Sequence, residues 1–189
     1  MKRITGLIVC LMLVPFSAQA TKLALDFNNE SAEIRLDVPL TADEFGRSVI
    51  GGRYLYNEDE DTDMGTAEFK FFGEPGAVPG LEVGAGFIGY VGETQDILDF
   101  RNIGIGVMAS YAPGQLQGLG FSARVVYSPD IFSWGDSDGL TEFNTRVSYA
   151  ITPRIKVYAG YQSIELELDG FKQDIDVDDD GRVGLEVQF

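Results

Sequence analysis

GRVGLEVQF, residues 181–189, alternates along its whole length. Val183, Leu185, Val187 and Phe189 fall on one face of an extended strand; Arg182, Gly184, Glu186 and Gln188 fall on the other. Side chains in a strand repeat with period two, so the two faces differ completely in polarity. An unpaired apolar edge at the end of a soluble chain invites aggregation. A barrel that closes in lipid needs such a strand, because its last strand pairs with its first and turns one face to hydrocarbon.

The same pattern recurs through the chain. Ten alternating segments are separated by turn signals: 22–28, 31–40, 47–57, 66–73, 81–91, 102–112, 119–128, 141–150, 154–164 and 181–189. Leu23, Leu25 and Phe27 share a face in the first, and Ile34, Leu36 and Val38 in the second. Segments of about ten residues with this alternation are the signature of transmembrane strands. Tyr56, Phe69, Tyr111, Tyr127, Tyr149 and Phe189 stand near segment ends, where interfacial girdles or ordinary core aromatics both fit. The expectation is an all-β fold, an antiparallel transmembrane β-barrel of about ten strands. The alternative has eight, with residues 21–40 outside the wall.

The first 20 residues read as a secretory signal peptide: Lys2 and Arg3, an apolar run from Ile4 to Phe16, then Ser17-Ala18-Gln19-Ala20. The apolar run is too short for a spanning helix. Residues 21–189 then form one barrel domain. Cleavage removes Cys10, the only cysteine, and with it any disulfide or thiolate chemistry. It also removes Lys2 and Arg3, so a formal charge of −16 becomes −18. A chain this acidic has no basic face for nucleic acid.

The connections divide into two kinds. Thr41–Gly46, Glu74–Gly80, Pro113–Gly118 and Ile151–Pro153 are short, with Pro and Gly placed for turns. Asn29–Glu30, Glu58–Gly65, Gly92–Arg101, Pro129–Gly139 and Glu165–Asp180 alternate with them, are mostly longer, and hold 20 of the 30 acidic residues. Short turns on one side and long polar loops on the other is the plan of an outer-membrane barrel. Both ends of the mature chain then face the periplasm.

The opening NNESAEIRLDVPL, the late hairpin SYAITPRIKVYAGYQ and the ending GRVGLEVQF resemble the YfaZ family of predicted outer-membrane proteins. The resemblance spans the mature chain. It implies an outer-membrane β-barrel, and supplies no catalytic or ligand residues. Val183, Leu185, Val187 and the terminal Phe189 are similar to the signal recognised by the outer-membrane barrel assembly machinery.

Chemistry is narrowed by what is missing. The chain has no histidine, which removes histidine triads, general bases and metal sites. A carboxylate pair such as Glu82 and Glu142 can do acid–base work, but pairing of each with an arginine is the simpler expectation. No enzyme and no cofactor are expected. By alternation Glu33, Arg35, Asp37, Arg53, Glu68, Lys70, Glu82, Arg124, Glu142, Arg146, Lys156, Arg182 and Glu186 face the lumen. Buried charges must pair, so either an ionic filling holds the barrel shut or these charges line a narrow pore. Interior glycines (Gly84, Gly86, Gly104, Gly106, Gly120, Gly160) leave room for water. Asp176, Asp178 and Asp180, ahead of Gly181, match the first half of a calcium loop, whose second half fails at Val187.

The functional expectation is therefore a non-enzymatic outer-membrane barrel, a small channel or a structural one, in contact with lipid and lipopolysaccharide and monomeric by default. Two alternatives stay open. One is a surface module whose acidic loops hold cations or a partner. The other is a soluble periplasmic β-barrel carrying a ligand.

Overall fold

The computed structural model describes residues 21–44, 46–95, 98–168 and 175–189. The expected signal peptide lies outside the described residues. Eleven strands follow in order: β1 (Lys22–Phe27), β2 (Ser31–Asp43), β3 (Gly46–Asn57), β4 (Thr62–Gly73), β5 (Leu81–Thr94), β6 (Leu98–Tyr111), β7 (Leu119–Ser128), β8 (Ser133–Gly135), β9 (Ser137–Thr152), β10 (Ile155–Leu168) and β11 (Ile175–Gln188). Ten of them make a closed antiparallel wall in sequence order. The eleventh, β8, is a three-residue strand lying against Phe100–Asn102 of β6, beyond the pairing of β6 with β7.

The wall closes where the alternating C-terminus demands it. β11 pairs with β1 in register, Val183 opposite Phe27, Leu185 opposite Leu25 and Val187 opposite Leu23. The apolar faces of the first and last strands therefore merge into one outer surface. β1 and β2 are wall strands, which settles ten strands over eight. Pro39, which cannot donate to a ladder, sits where the register between β2 and β3 slips.

Across most of its height the barrel is inside out. Val107, Phe87 and Ile105 on the outer face are more than half exposed, whereas the Arg53 side chain is wholly buried inside. This is the arrangement hydrocarbon requires, since lipid replaces water on the outside and every backbone polar group is paired around a closed wall. Tyr56, Tyr127 and Tyr161 mark the outer face toward one end, and Tyr111, Tyr149 and Phe189 toward the other, as two aromatic girdles; Phe69, opposite Ile50 and Phe87, stands between them instead. The wall is thus a transmembrane β-barrel.

The strands run further than their apolar alternation suggested. β4 begins at Thr62, β5 ends at Thr94, β6 starts at Leu98, β9 at Ser137, and β10 and β11 reach Leu168 and Ile175. Much of the acidic sequence expected as loop is strand. In these extensions the polarity reverses. On β10, Tyr158 and Gln162 face in while Val157 and Tyr161 face out; two residues on, Ile164 and Leu166 face in while Glu165 and Glu167 face out. Beyond the lipid the wall obeys the rule of a soluble protein, apolar inside and charged outside. Leu55, Met64, Ile88, Tyr90, Phe100, Val126, Leu140, Ile164, Leu166 and Val177 pack there as one buried cluster across the bore.

Part of the space that inward glycines leave is filled from neighbouring strands, while Gly120 lines an open cavity. A Cβ on Gly184 would lie 2.5 Å from Tyr158 Cζ and 2.6 Å from Asp26 Cβ, and one on Gly104 would lie 2.6 Å from Val126 Cγ1. Gly184→Ala is expected to destabilise the barrel by about 1–3 kcal/mol through overpacking. Urea unfolding of the lipid-inserted protein measures this, and an unchanged midpoint would mean that the space over Gly184 is free.

Candidate functional site

The candidate site is the bore. All thirteen lumen charges expected from alternation sit on the inner wall, and alternation extended to Lys22, Asp26, Arg47 and Asp178 adds four more. Three of these four lie close to strand ends. Asp178 follows Val177 at a register shift between β10 and β11 that leaves both residues buried. Tyr90, Tyr158 and Gln162 complete the set; alternation places each inward, but as neutral residues they carried no charge signal.

Two hubs organise the charges. Glu142 on β9 takes a two-pronged pair from Arg53 on β3, with Nη1 to Oε1 at 2.9 Å and Nη2 to Oε2 at 2.7 Å. It also accepts the Tyr90 hydroxyl at 2.7 Å, and Arg124 approaches it within 3.4 Å. Arg124 in turn reaches Glu68 at 2.8 Å, which Lys70 meets at 2.7 Å. The second hub is Arg182 on β11. It meets Asp26 at 2.9 Å, Asp178 at 3.1 Å and Glu33 at 3.3 Å. Gln162 donates to Asp178 at 3.0 Å and to Glu33 at 3.2 Å, and Tyr158 donates to Asp26 at 2.7 Å. This hub ties β1, β2, β10 and β11 together across the closing seam. Charges taken out of water this completely are tolerated because each has a partner and further hydrogen bonds.

The bore therefore has three layers. The apolar cluster fills the end where the longer connections lie. The two ionic hubs fill the middle. Toward the short turns a cavity of about 300 Å³ remains, with Lys22, Arg35, Asp37, Arg47, Lys70, Glu82, Arg124, Arg146, Lys156 and Glu186 in its lining. Arg47 pairs with Glu82 through two contacts of 2.7 Å and stacks 4.2 Å over Phe72. Glu82 and Glu142, the carboxylates considered for acid–base work, are thus held by different arginines in different layers.

The calcium motif is not assembled as a loop. Asp176, Asp178 and Asp180 lie along β11. Asp176 is exposed, Asp178 points into the bore at Arg182, and Asp180 accepts a hydrogen bond from Asn28 at 3.2 Å. A β-strand with opposed side chains cannot wrap one ion. Among the described residues no group of three or more acidic side chains is arranged to hold a metal. Trp134 is half-exposed on β8, paired in register with Arg101.

Outside the wall the acids crowd one another. Asp63, Glu93 and Asp99 stand opposite one another on β4, β5 and β6. In the β1–β2 turn the charges of Asp180 and Asp59 raise the Glu30 carboxyl above its ordinary range. A carboxyl whose folded pKa is raised opposes folding when ionised, and that opposition vanishes below its unfolded pKa of about 4.3. Glu30→Gln is expected to raise the melting temperature at neutral pH, with the gain shrinking as the pH falls through the raised folded pKa and gone once it is below the unfolded value. Thermal unfolding at the two pH values checks the sign.

Solved structures similar to this chain include two described as porins. The KdgM porin matches at 11% identity and a TM-score of 0.45, over 90% of this chain and 99% of its own. The NanC porin matches at 11% and 0.46, over 90% and 98%. OccK3 of Pseudomonas aeruginosa matches at 16% and 0.45, over 94% of this chain but 54% of its own. Likeness at this level adds nothing to the topology described above. No curated protein sequence matches the chain. The family described as "YfaZ precursor" matches over residues 1–189, and the chain belongs to that family.

Proposed function

We propose that the protein is a small, non-enzymatic, porin-like barrel of the outer membrane whose bore is shut in the form described here. The carrying observation is the stacking of the apolar cluster on the two ionic hubs. Leu55, Met64, Ile88, Phe100, Leu140 and Ile164 are fully buried, and so are the side chains of Arg53 and Arg182. No step of catalysis is supported, because the carboxylates in the bore are held by cations and the chain has no histidine. The short turns and both ends of the mature chain face the periplasm in this reading, so the cavity is a blind vestibule on that side. Val183, Leu185 and Phe189, with their apolar outer face, suit recognition by the barrel assembly machinery.

A second reading concerns the outer collar. Like charges opposite one another on neighbouring strands repel, and the exposed row Asp63, Glu93 and Asp99 gives the collar a negative field that gathers mobile cations near the outer leaflet without a built metal site. The two readings are compatible.

Planar-bilayer recording tests the first. Inserted wild-type protein, its insertion verified by protease protection, is expected to be silent. Sustained conductance steps from the wild type would overturn the closed reading.

A further inference from the structure

The vestibule has a chemistry of its own. The carboxylates Asp26, Glu33 and Glu68, which lie behind it, are wholly buried. The cations that pair with them from the vestibule side keep part of their surface, as do those at its mouth; Arg47 is 32% exposed and Lys156 is 40% exposed. Seven cations line the vestibule against three partly exposed carboxylates, Asp37, Glu82 and Glu186, so the face shown to an entering solute has an excess of positive charge.

Two places are under-matched. At the mouth, Lys22 and Lys156 lean on the same carboxylate, Glu186, each at 3.7 Å. At the floor, Arg146 reaches Asp26 at 3.4 Å and Glu33 at 3.7 Å, but Arg182 already holds both carboxylates at shorter distances. The side chains of Arg35, Arg124 and Arg146 line the cavity and keep 14%, 12% and 11% of their surface exposed, so an anion entering from the short-turn side can meet guanidinium groups there. Two of the cations are held on ring faces, Arg47 over Phe72 and Arg146 4.7 Å over Tyr158, which fixes where their charge is presented. A cavity of about 300 Å³ is at the small end of ligand sites.

We propose that the vestibule binds a small organic dianion, one anionic group at the Lys22–Lys156 mouth and the other at the Arg35–Arg124–Arg146 floor. This rests on the closed-barrel reading only in that the vestibule is blind, so the anion is held rather than passed through. Carboxylate and phosphate oxygens share the chemistry that guanidinium groups recognise.

The test is calorimetric titration of the refolded mature barrel in a non-ionic detergent, with succinate and inorganic phosphate as separate probes. Saturable binding of succinate is expected, at one per barrel and tighter than that of phosphate, weakening as salt is raised. Phosphate binding without succinate binding would overturn the two-point dianion. The double variant K22Q/K156Q removes only half-exposed mouth charges, and is expected to weaken binding about tenfold. Arg154→Gln removes an exposed charge in the β9–β10 turn, outside the vestibule, and is expected to leave binding unchanged. Binding of neither probe overturns the proposal. So does equal weakening by R154Q and the mouth variant, which would reduce the effect to general charge. Bilayer recordings on the same preparation keep the two ideas apart: conductance steps defeat the closed barrel, whereas silence with no heat defeats only the anion site.

Discussion

Glu142→Ala is expected to cost the barrel about 3–5 kcal/mol, the usual loss when one partner of a buried pair is removed. The removed carboxylate leaves Arg53 with its Nη1 and Nη2 contacts of 2.9 and 2.7 Å broken, and leaves the Tyr90 hydroxyl without its acceptor. Both side chains of the pair are essentially unexposed, so water does not screen or replace the lost interaction. Glu142→Gln keeps an oxygen acceptor and is expected to fall between alanine and wild type. The double variant R53M/E142L removes both charges and fills their volume with apolar atoms. Its loss is expected to be smaller than that of E142A, because no lone charge stays behind. The midpoint of urea unfolding in lipid vesicles measures all three. If E142A unfolds at the wild-type midpoint, the hub is wet and the ionic filling does not hold the bore.

The membrane-spanning part of this protein is written plainly in its sequence, and the part above the membrane is not. Within lipid each strand must show one apolar and one polar face, so Val183, Leu185 and Val187 declare their direction and Arg182 and Glu186 theirs. Even single charges such as Arg53 and Arg124 could be placed without coordinates. Which charge meets which is another matter. Arg53 and Glu142 are separated by 89 residues, and their meeting depends on stagger around the barrel, which alternation does not encode.

Two signals mislead for physical reasons. Acid-rich stretches such as Glu165 to Asp180 read as loop because charge suggests solvent. A ladder needs only backbone hydrogen bonds, however, and outside lipid the outward face is free to be acidic while the inward face turns apolar. Ile164, Glu165, Leu166 and Glu167 still alternate; only the sense of the alternation flips, and that flip marks where the wall leaves the membrane. The interior glycines are only partly legible. Gly120 lines the open cavity, whereas Tyr158 over Gly184 and Val126 over Gly104 fill the space there, and sequence spacing does not reveal a neighbour from another strand.

That reversal of polarity makes the apolar layer the element with the clearest functional test. Phe100 is fully buried, and its ring lies where a Cβ on Gly92 would come within 2.5 Å. Phe100→Ala removes a ring from a layer packed like the core of a soluble protein, and is expected to cost about 3–5 kcal/mol. The loss should appear in the unfolding midpoint. Its electrical consequence depends on which layer seals the bore. If the apolar layer is the only seal, F100A combined with Ile164→Ala should produce steady conductance steps in inserted protein. The hubs beneath are continuous from Arg182 through Glu33 to Arg53 and Glu142, so the structure favours silence from this double variant too. Steps should then appear only when R53A/E142A is added to F100A/I164A in the same chain, opening both layers at once. Steps from F100A/I164A alone would show that the ionic middle already passes ions, and would move the gate entirely to the apolar layer. Both outcomes are read in the same bilayer, and each assigns the seal to named side chains.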